Sequence, residues 1–144
     1  EEGVRIKHLG RLDRLSPELR QALQEAVELT QDNSGITLSG AFDYGGRAEI
    51  LDAVRSLMAD GVGPEQLTEG VFQQYLYTRD IPDPDLVIRT AGEMRLSNFL
   101  LWQSAYTEYY ATSALWPDFD EVEVGKALEA FSRRQRRFGT VSPV

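Results

Sequence analysis

Residues 83–103 read DPDLVIRTAGEMRLSNFLLWQ, and the order of residue types in that stretch decides the architecture. Leu86, Val87 and Ile88 are consecutive and apolar; Arg89, Glu93, Arg95, Ser97 and Asn98 follow directly. An amphipathic helix or surface strand would set apolar and polar residues on opposite faces, but here they stand end to end. A buried strand that ends in a crevice produces this order. In open parallel α/β sheets the groups that meet ligands lie beyond the carboxyl ends of the strands.

The flanking sequence supplies the other layers. Val4, Ile6 and His8 alternate with Arg5 and Lys7, which predicts a short strand. Ser16-Pro17-Glu18 starts a helix with a hydroxyl cap and a first-turn proline. Leu19, Ala22, Leu23, Ala26 and Val27 form its buried stripe, and Asn33-Ser34-Gly35 ends it. Residues 36–42 predict a second strand, residues 47–60 a helix stopped by Gly61, and Thr68 caps a helix running through Tyr77. Phe99, Leu100, Leu101 and Trp102 read as core. After LWPDFDE a last helix carries Val124, Ala127, Leu128, Phe131 and Phe138 on one side, acidic in its first turn and basic in its last. Strands alternating with helices predict an α/β fold, a mostly parallel central sheet flanked by helices, in a single domain over residues 1–144.

Composition narrows the function. A chain of 144 residues buries roughly 70% of its unfolded surface, enough for a core. The net charge of −8 argues against broad nucleic-acid binding, although Arg133, Arg134, Arg136 and Arg137 cluster near the end. With no cysteine, disulfides, thiol catalysis and cysteine-bound metals are excluded, and a reducing compartment fits. The longest strongly apolar run, residues 99–102, falls far short of the ~20 residues that span a bilayer. No segment reads as a signal peptide. His8 is the only histidine, so histidine-based triads have little support. Neither a Walker motif nor G-x-G-x-x-G is present, which leaves a nucleotide-binding module unsupported.

Arg89, Arg95 and Ser97 supply two guanidinium forks and a hydroxyl, a set suited to a diphosphate because arginine binds oxygens in pairs and stays charged when desolvated. The same arginines could instead pair with Glu93 or Asp85 and merely tie down the loop. In DYGGR, residues 43–47, Gly45-Gly46 between strand and helix permits close backbone approach to an anion at a helix start, or is simply a turn. Glu93 and Glu108 are either metal-linked carboxylates or solvated acids.

Taken together, DPDLVIRTAGEMRLSNFLLWQSAYTEYY, YGGR, LWPDF and the closing RRFG resemble the cis-prenyltransferase family, whose best-known members are the undecaprenyl diphosphate synthases. The match runs in order over residues 4–139. The resemblance implies condensation of isopentenyl diphosphate with an allylic diphosphate to give a Z-polyprenyl diphosphate, with Mg²⁺, in a homodimer. It implies that Arg89, Arg95 and Ser97 hold the diphosphate of isopentenyl diphosphate and that Glu108 is associated with Mg²⁺. It further implies that Arg137 and Gly139, in RFG, reach the active site across the dimer interface. Glu93, Asn98, Gly45, Gly46 and Arg47 lie in matching motifs with less defined roles. The product class, a lipid, suggests a cytoplasmic protein close to the membrane surface, with no nucleic-acid partner.

The chain also departs from the family's pattern. Asp43 stands where the family usually has asparagine, and Met94 where some members have histidine. The family's early D-G-N-G-R-W-like loop, with its catalytic aspartate, has no counterpart here. The expectation is therefore a C-terminal portion of a longer synthase, poorly active alone. A non-catalytic accessory subunit of such a complex is the alternative, and the diphosphate-binding set argues against it.

Overall fold

Alternation in the first residues becomes strand β1 (Arg5–Leu9), and the capped stripe becomes helix α1 (Pro17–Thr30). The Ser16 hydroxyl accepts from the Leu19 amide at 3.3 Å, as an N-cap should. Strand β2 (Thr37–Ala41) follows, then helix α2 (Gly46–Ala59), a 3-10 turn at Pro64–Gln66 and helix α3 (Glu69–Gln73). Further along come strand β3 (Leu86–Arg89), strand β4 (Glu108–Ala111), a 3-10 turn at Trp116–Asp118 and helix α4 (Glu121–Ser132). This computed structural model describes residues 3–134. The elements fall into two compact units, Glu1–Pro82 and Asp83–Val144.

In the first unit β1 and β2 pair in parallel, in register from Arg5↔Thr37 to Leu9↔Ala41, and α1 makes the crossover that a parallel connection requires. Leu9, Ala53, Leu57, Phe72 and Leu76 form its buried apolar core. Gly10 ends β1 with φ +122, where an added Cβ would lie 2.3 Å from the Phe42 carbonyl oxygen. Only glycine tolerates both that conformation and that approach, so β1 closes tightly on the loop after β2.

In the second unit β3 and β4 are also parallel, from Leu86↔Glu108 to Arg89↔Ala111. Val87 and Ala127 are its buried apolar residues. Aligned residues of parallel strands share a face and successive residues alternate, so Glu108 and Tyr110 lie with Leu86 and Ile88, and Arg89 lies with Val87 on the other side. Helix α4 packs on β4. Thr112 donates to the Glu123 carboxylate at 2.8 Å near the start of α4, and Arg134, just past its end, donates to Glu108 at 2.5 Å. The helix therefore runs antiparallel to β4 across the Glu108 face, pinned at both ends.

The α/β class and the parallel pairing agree with the sequence reading; several boundaries and burials do not. Helix α3 stops at Gln73 rather than Tyr77. The amides of Gln74, Tyr75 and Leu76 turn to carbonyls three residues back, and the Tyr77 amide is drawn to the Glu49 carboxylate at 2.9 Å, which breaks the helical ladder. Strand β4 was not foreseen. Helix α4 ends at Ser132, so no basic residue occupies its last turn, and Arg133 is instead the C-cap. Phe138 lies outside the described residues. The α1 stripe is only half-buried, with Leu19 40% exposed, and Leu38 on β2 is 61% exposed. Two strands cover only part of a helix face. Phe99 is 36% exposed, because residues 99–102 form turns that align no single apolar face.

Candidate functional site

Arg89 closes β3, and the chain leaves it through a loop whose root is pinned: the Ala91 and Gly92 amides donate to the Ala114 and Thr112 carbonyls, each at 2.8 Å. At its far end the Thr107 hydroxyl donates to the Pro84 carbonyl at 2.6 Å. Between these anchors the backbone is unusual. Ala91, Ser97, Asn98 and Leu100 have φ of 58°, 51°, 64° and 44°, besides Gly92 at 68°. Non-glycine residues rarely adopt this region, at a cost of roughly 1 kcal/mol each, and such residues cluster at ligand sites. The left-handed turns present Arg95, Ser97 and Asn98 at the surface beyond the carboxyl end of β3.

The two arginines differ. The Arg89 Nε is buried and has no hydrogen-bond partner among the described residues. A buried guanidinium nitrogen without an acceptor is costly, by about 1–3 kcal/mol, and it lies on the last residue of β3. The Arg95 guanidinium is ion-paired with Glu93, the alternative pairing its sequence allowed, and its side chain is 66% exposed. That pair exchanges easily, because exposed ion pairs are worth little.

Glu108 stands apart from both. It begins β4 opposite Leu86, at the other end of the strand pair from Arg89 and on the opposite face. Its Oε2 accepts from Arg134 Nη1, whose Nη2 donates to the Tyr109 carbonyl at 2.7 Å. No group of three histidine or acidic side chains able to hold a metal exists among the described residues. A lone carboxylate still suits Mg²⁺, which keeps waters and takes one or two carboxylates alongside substrate phosphates. Arg137 and Gly139 lie outside the described residues.

In the first unit, Gly45 caps α2 with extended backbone and no side-chain cap bond, Gly46 is buried, and Arg47 is exposed. Asp43, with φ 48°, forms a bidentate pair with Arg14 in which Nε donates at 2.8 Å. That arginine holds the Asp43 carboxyl below its ordinary range. It also gives a physical reason for an acid where the family usually has asparagine, because both tolerate left-handed backbone but only the acid pairs with Arg14.

Two carboxylates escaped the sequence reading. Glu49, 1% exposed, accepts from the Tyr44 hydroxyl at 2.5 Å and the Tyr77 amide at 2.9 Å, so it anchors the tyrosine preceding Gly45-Gly46. Asp52 accepts from Arg11 at 2.8 and 2.7 Å, from Arg55 at 2.7 Å and from the Tyr77 hydroxyl at 2.6 Å. The Arg11 bond holds Asp52 far below the usual carboxylate range, while burial, then the bond to Asp52, pushes Tyr77 up to about 12. A signal for Glu49 was present: Gly46, Glu49, Ala53 and Leu57 share the buried face of α2, and an acid on such a stripe needs partners.

Comparison with known proteins shows the family. The family profile described as "Putative undecaprenyl diphosphate synthase" matches residues 1–139. The chain is 54% identical over 141 residues to an isoprenyl transferase of Fusobacterium nucleatum, covering 98% of this chain and 60% of that protein. It is 53% identical over 140 residues to one of Thermotoga maritima, covering 96% and 60%. A lavandulyl diphosphate synthase from Lavandula x intermedia, solved in complex with dimethylallyl diphosphate, superposes with a TM-score of 0.91 at 40% identity, over 95% of this chain and 61% of that one. The chain thus spans about 60% of the length of these relatives.

Proposed function

The chain belongs to the undecaprenyl diphosphate synthase family of prenyltransferases, and on that premise we propose that it binds isopentenyl diphosphate in a synthase that condenses it with an allylic diphosphate to form a Z-polyprenyl diphosphate. The observation that carries this reading is Arg89, whose buried Nε lacks a partner at the carboxyl end of β3, beside a loop in left-handed backbone. Arg89 and Arg95 grip the diphosphate oxygens, Arg95 exchanging Glu93 for substrate, and the Ser97 hydroxyl adds a third donor. Held there, the homoallylic double bond is positioned over the developing allylic cation, and orientation of this kind contributes much of the rate in such couplings. Asn98 and Glu93 border the clamp. Gly45, Gly46 and Arg47 offer backbone amides and a cation to a second anion, with Glu49 and Tyr44 fixing that turn.

Mg²⁺, when bound, neutralises charge on diphosphate oxygens. Glu108 is its proposed ligand. Glu108 and Arg89 face opposite sides of β3–β4, which sets them apart within one chain. That favours a homodimer in which one chain supplies the arginines and its partner supplies Glu108, along with Arg137 and Gly139 of the tail that follows Arg134. No described helix is long and apolar enough to cross a membrane. The proposed setting is the cytoplasm beside the membrane that receives the lipid product.

Calorimetric titration with isopentenyl diphosphate tests the reading. Binding is expected, and Arg95→Ala should weaken it by about 1.5–3 kcal/mol, the value of a charged hydrogen bond. An unchanged affinity in Arg95→Ala would remove that residue from the clamp.

A further inference from the structure

We infer that Arg134 is a positioning residue that sets how tightly Glu108 takes a divalent cation, because arginine and cation are alternative partners for the same carboxylate. This rests on the reading of Glu108 given above.

The geometry is that of a held counter-ion. Arg134 follows the end of α4, and its guanidinium bridges two acceptors, the Glu108 carboxylate at 2.5 Å and the Tyr109 carbonyl at 2.7 Å. The second bond fixes the fork even if the first is given up. Glu108 is the less exposed partner, with side-chain exposures of 25% for Glu108 and 42% for Arg134. The two oxygens of Glu108 therefore compete between a guanidinium anchored nearby and any cation arriving from solvent. A cation that displaces the guanidinium must also approach a fixed positive charge, which raises the concentration needed for loading. The opposite pin of α4, from Thr112 to Glu123, involves no cation on the strand side. Its acid is already satisfied by Lys126 at 2.5 Å, so metal competition is confined to the Glu108 end.

The arrangement implies coupling in both directions. Cation binding frees Arg134 from Glu108, and a bound diphosphate that brings its own cation would meet a guanidinium released beside it.

The test measures Mn²⁺ affinity by electron paramagnetic resonance on the whole chain, with inorganic pyrophosphate present, in wild type, Arg134→Gln, Arg134→Lys, Glu108→Gln and the double variant Arg134→Gln/Glu108→Gln. Circular dichroism first confirms that each is folded. Arg134→Gln is expected to tighten Mn²⁺ binding by about fivefold, the scale of one partly exposed ion pair, with Arg134→Lys close to wild type. Glu108→Gln should weaken it, and adding Arg134→Gln in that background should then change nothing. Should Arg134→Gln leave Mn²⁺ affinity unchanged or weaker while Glu108→Gln weakens it, the inference about Arg134 fails and Glu108 stands as a ligand. Unchanged affinity in Glu108→Gln overturns the ligand reading itself, and the inference with it.

Discussion

Replacing Arg89 with methionine separates a binding role from a structural one. The substitution keeps most of the apolar stem but removes every donor, including the buried Nε that has no partner. If that nitrogen awaits a substrate oxygen, the empty protein loses nothing by its removal and is relieved of an unsatisfied group worth about 1–3 kcal/mol. For a chain of this size 1 kcal/mol corresponds to about 3 °C, so Tm should hold or rise by several degrees. Isopentenyl diphosphate affinity should fall sharply, by about 3 kcal/mol or more if two charge-assisted bonds are lost, which is on the order of a hundredfold in Kd. Differential scanning calorimetry reads the first quantity and titration calorimetry the second. A Tm that drops by 5 °C or more together with unchanged affinity would show Arg89 to be a structural residue and refute the reasoning.

Acid should unfold the first unit through Asp52. Its folded pKa is depressed, chiefly by Arg11, so its contribution is present above the unfolded value of about 3.9 and is lost as pH falls from there through the lower folded value. Urea midpoints followed over that range should fall, and Asp52→Asn should lessen the total loss of stability by about 2 kcal/mol; an identical pH dependence in the variant would remove Asp52 as the cause. Gly10→Ala should destabilise by about 3 kcal/mol or more, since its Cβ would sit 2.3 Å from a backbone oxygen at φ +122. A thermal melt within 2 °C of wild type would contradict the tight closure of β1 on the loop after β2.

Local chemistry was readable where it acts over short distances. Ser16 and Thr68 cap the helices their positions announce, and Leu86, Val87 and Ile88 form the strand their apolar run predicts. What escaped depends on partners remote in sequence. Strand β4 is four half-buried residues that become a strand by pairing with β3 twenty-two positions earlier, through Leu86↔Glu108. The turn that ends α3 is held by Glu49, which takes the Tyr77 amide from twenty-eight residues away. Of the proposed clamp, the residue types in 89–97 were legible; the face that each occupies was not. Glu108 lies four residues beyond Ser104 in the chain, yet register places it across the sheet from Arg89. The Arg14–Asp43 pair likewise joins two loops whose adjacency only β1–β2 pairing creates.

The left-handed residues after β3 limit how this protein can be improved. Glycine at position 97 or 98 would relax the backbone and raise thermal tolerance, yet it would delete the hydroxyl or the amide that the turn displays. Robustness and recognition are thus in direct conflict at those positions. Variants selected for heat resistance alone should drift toward glycine there and bind isopentenyl diphosphate poorly, if the proposed clamp is right.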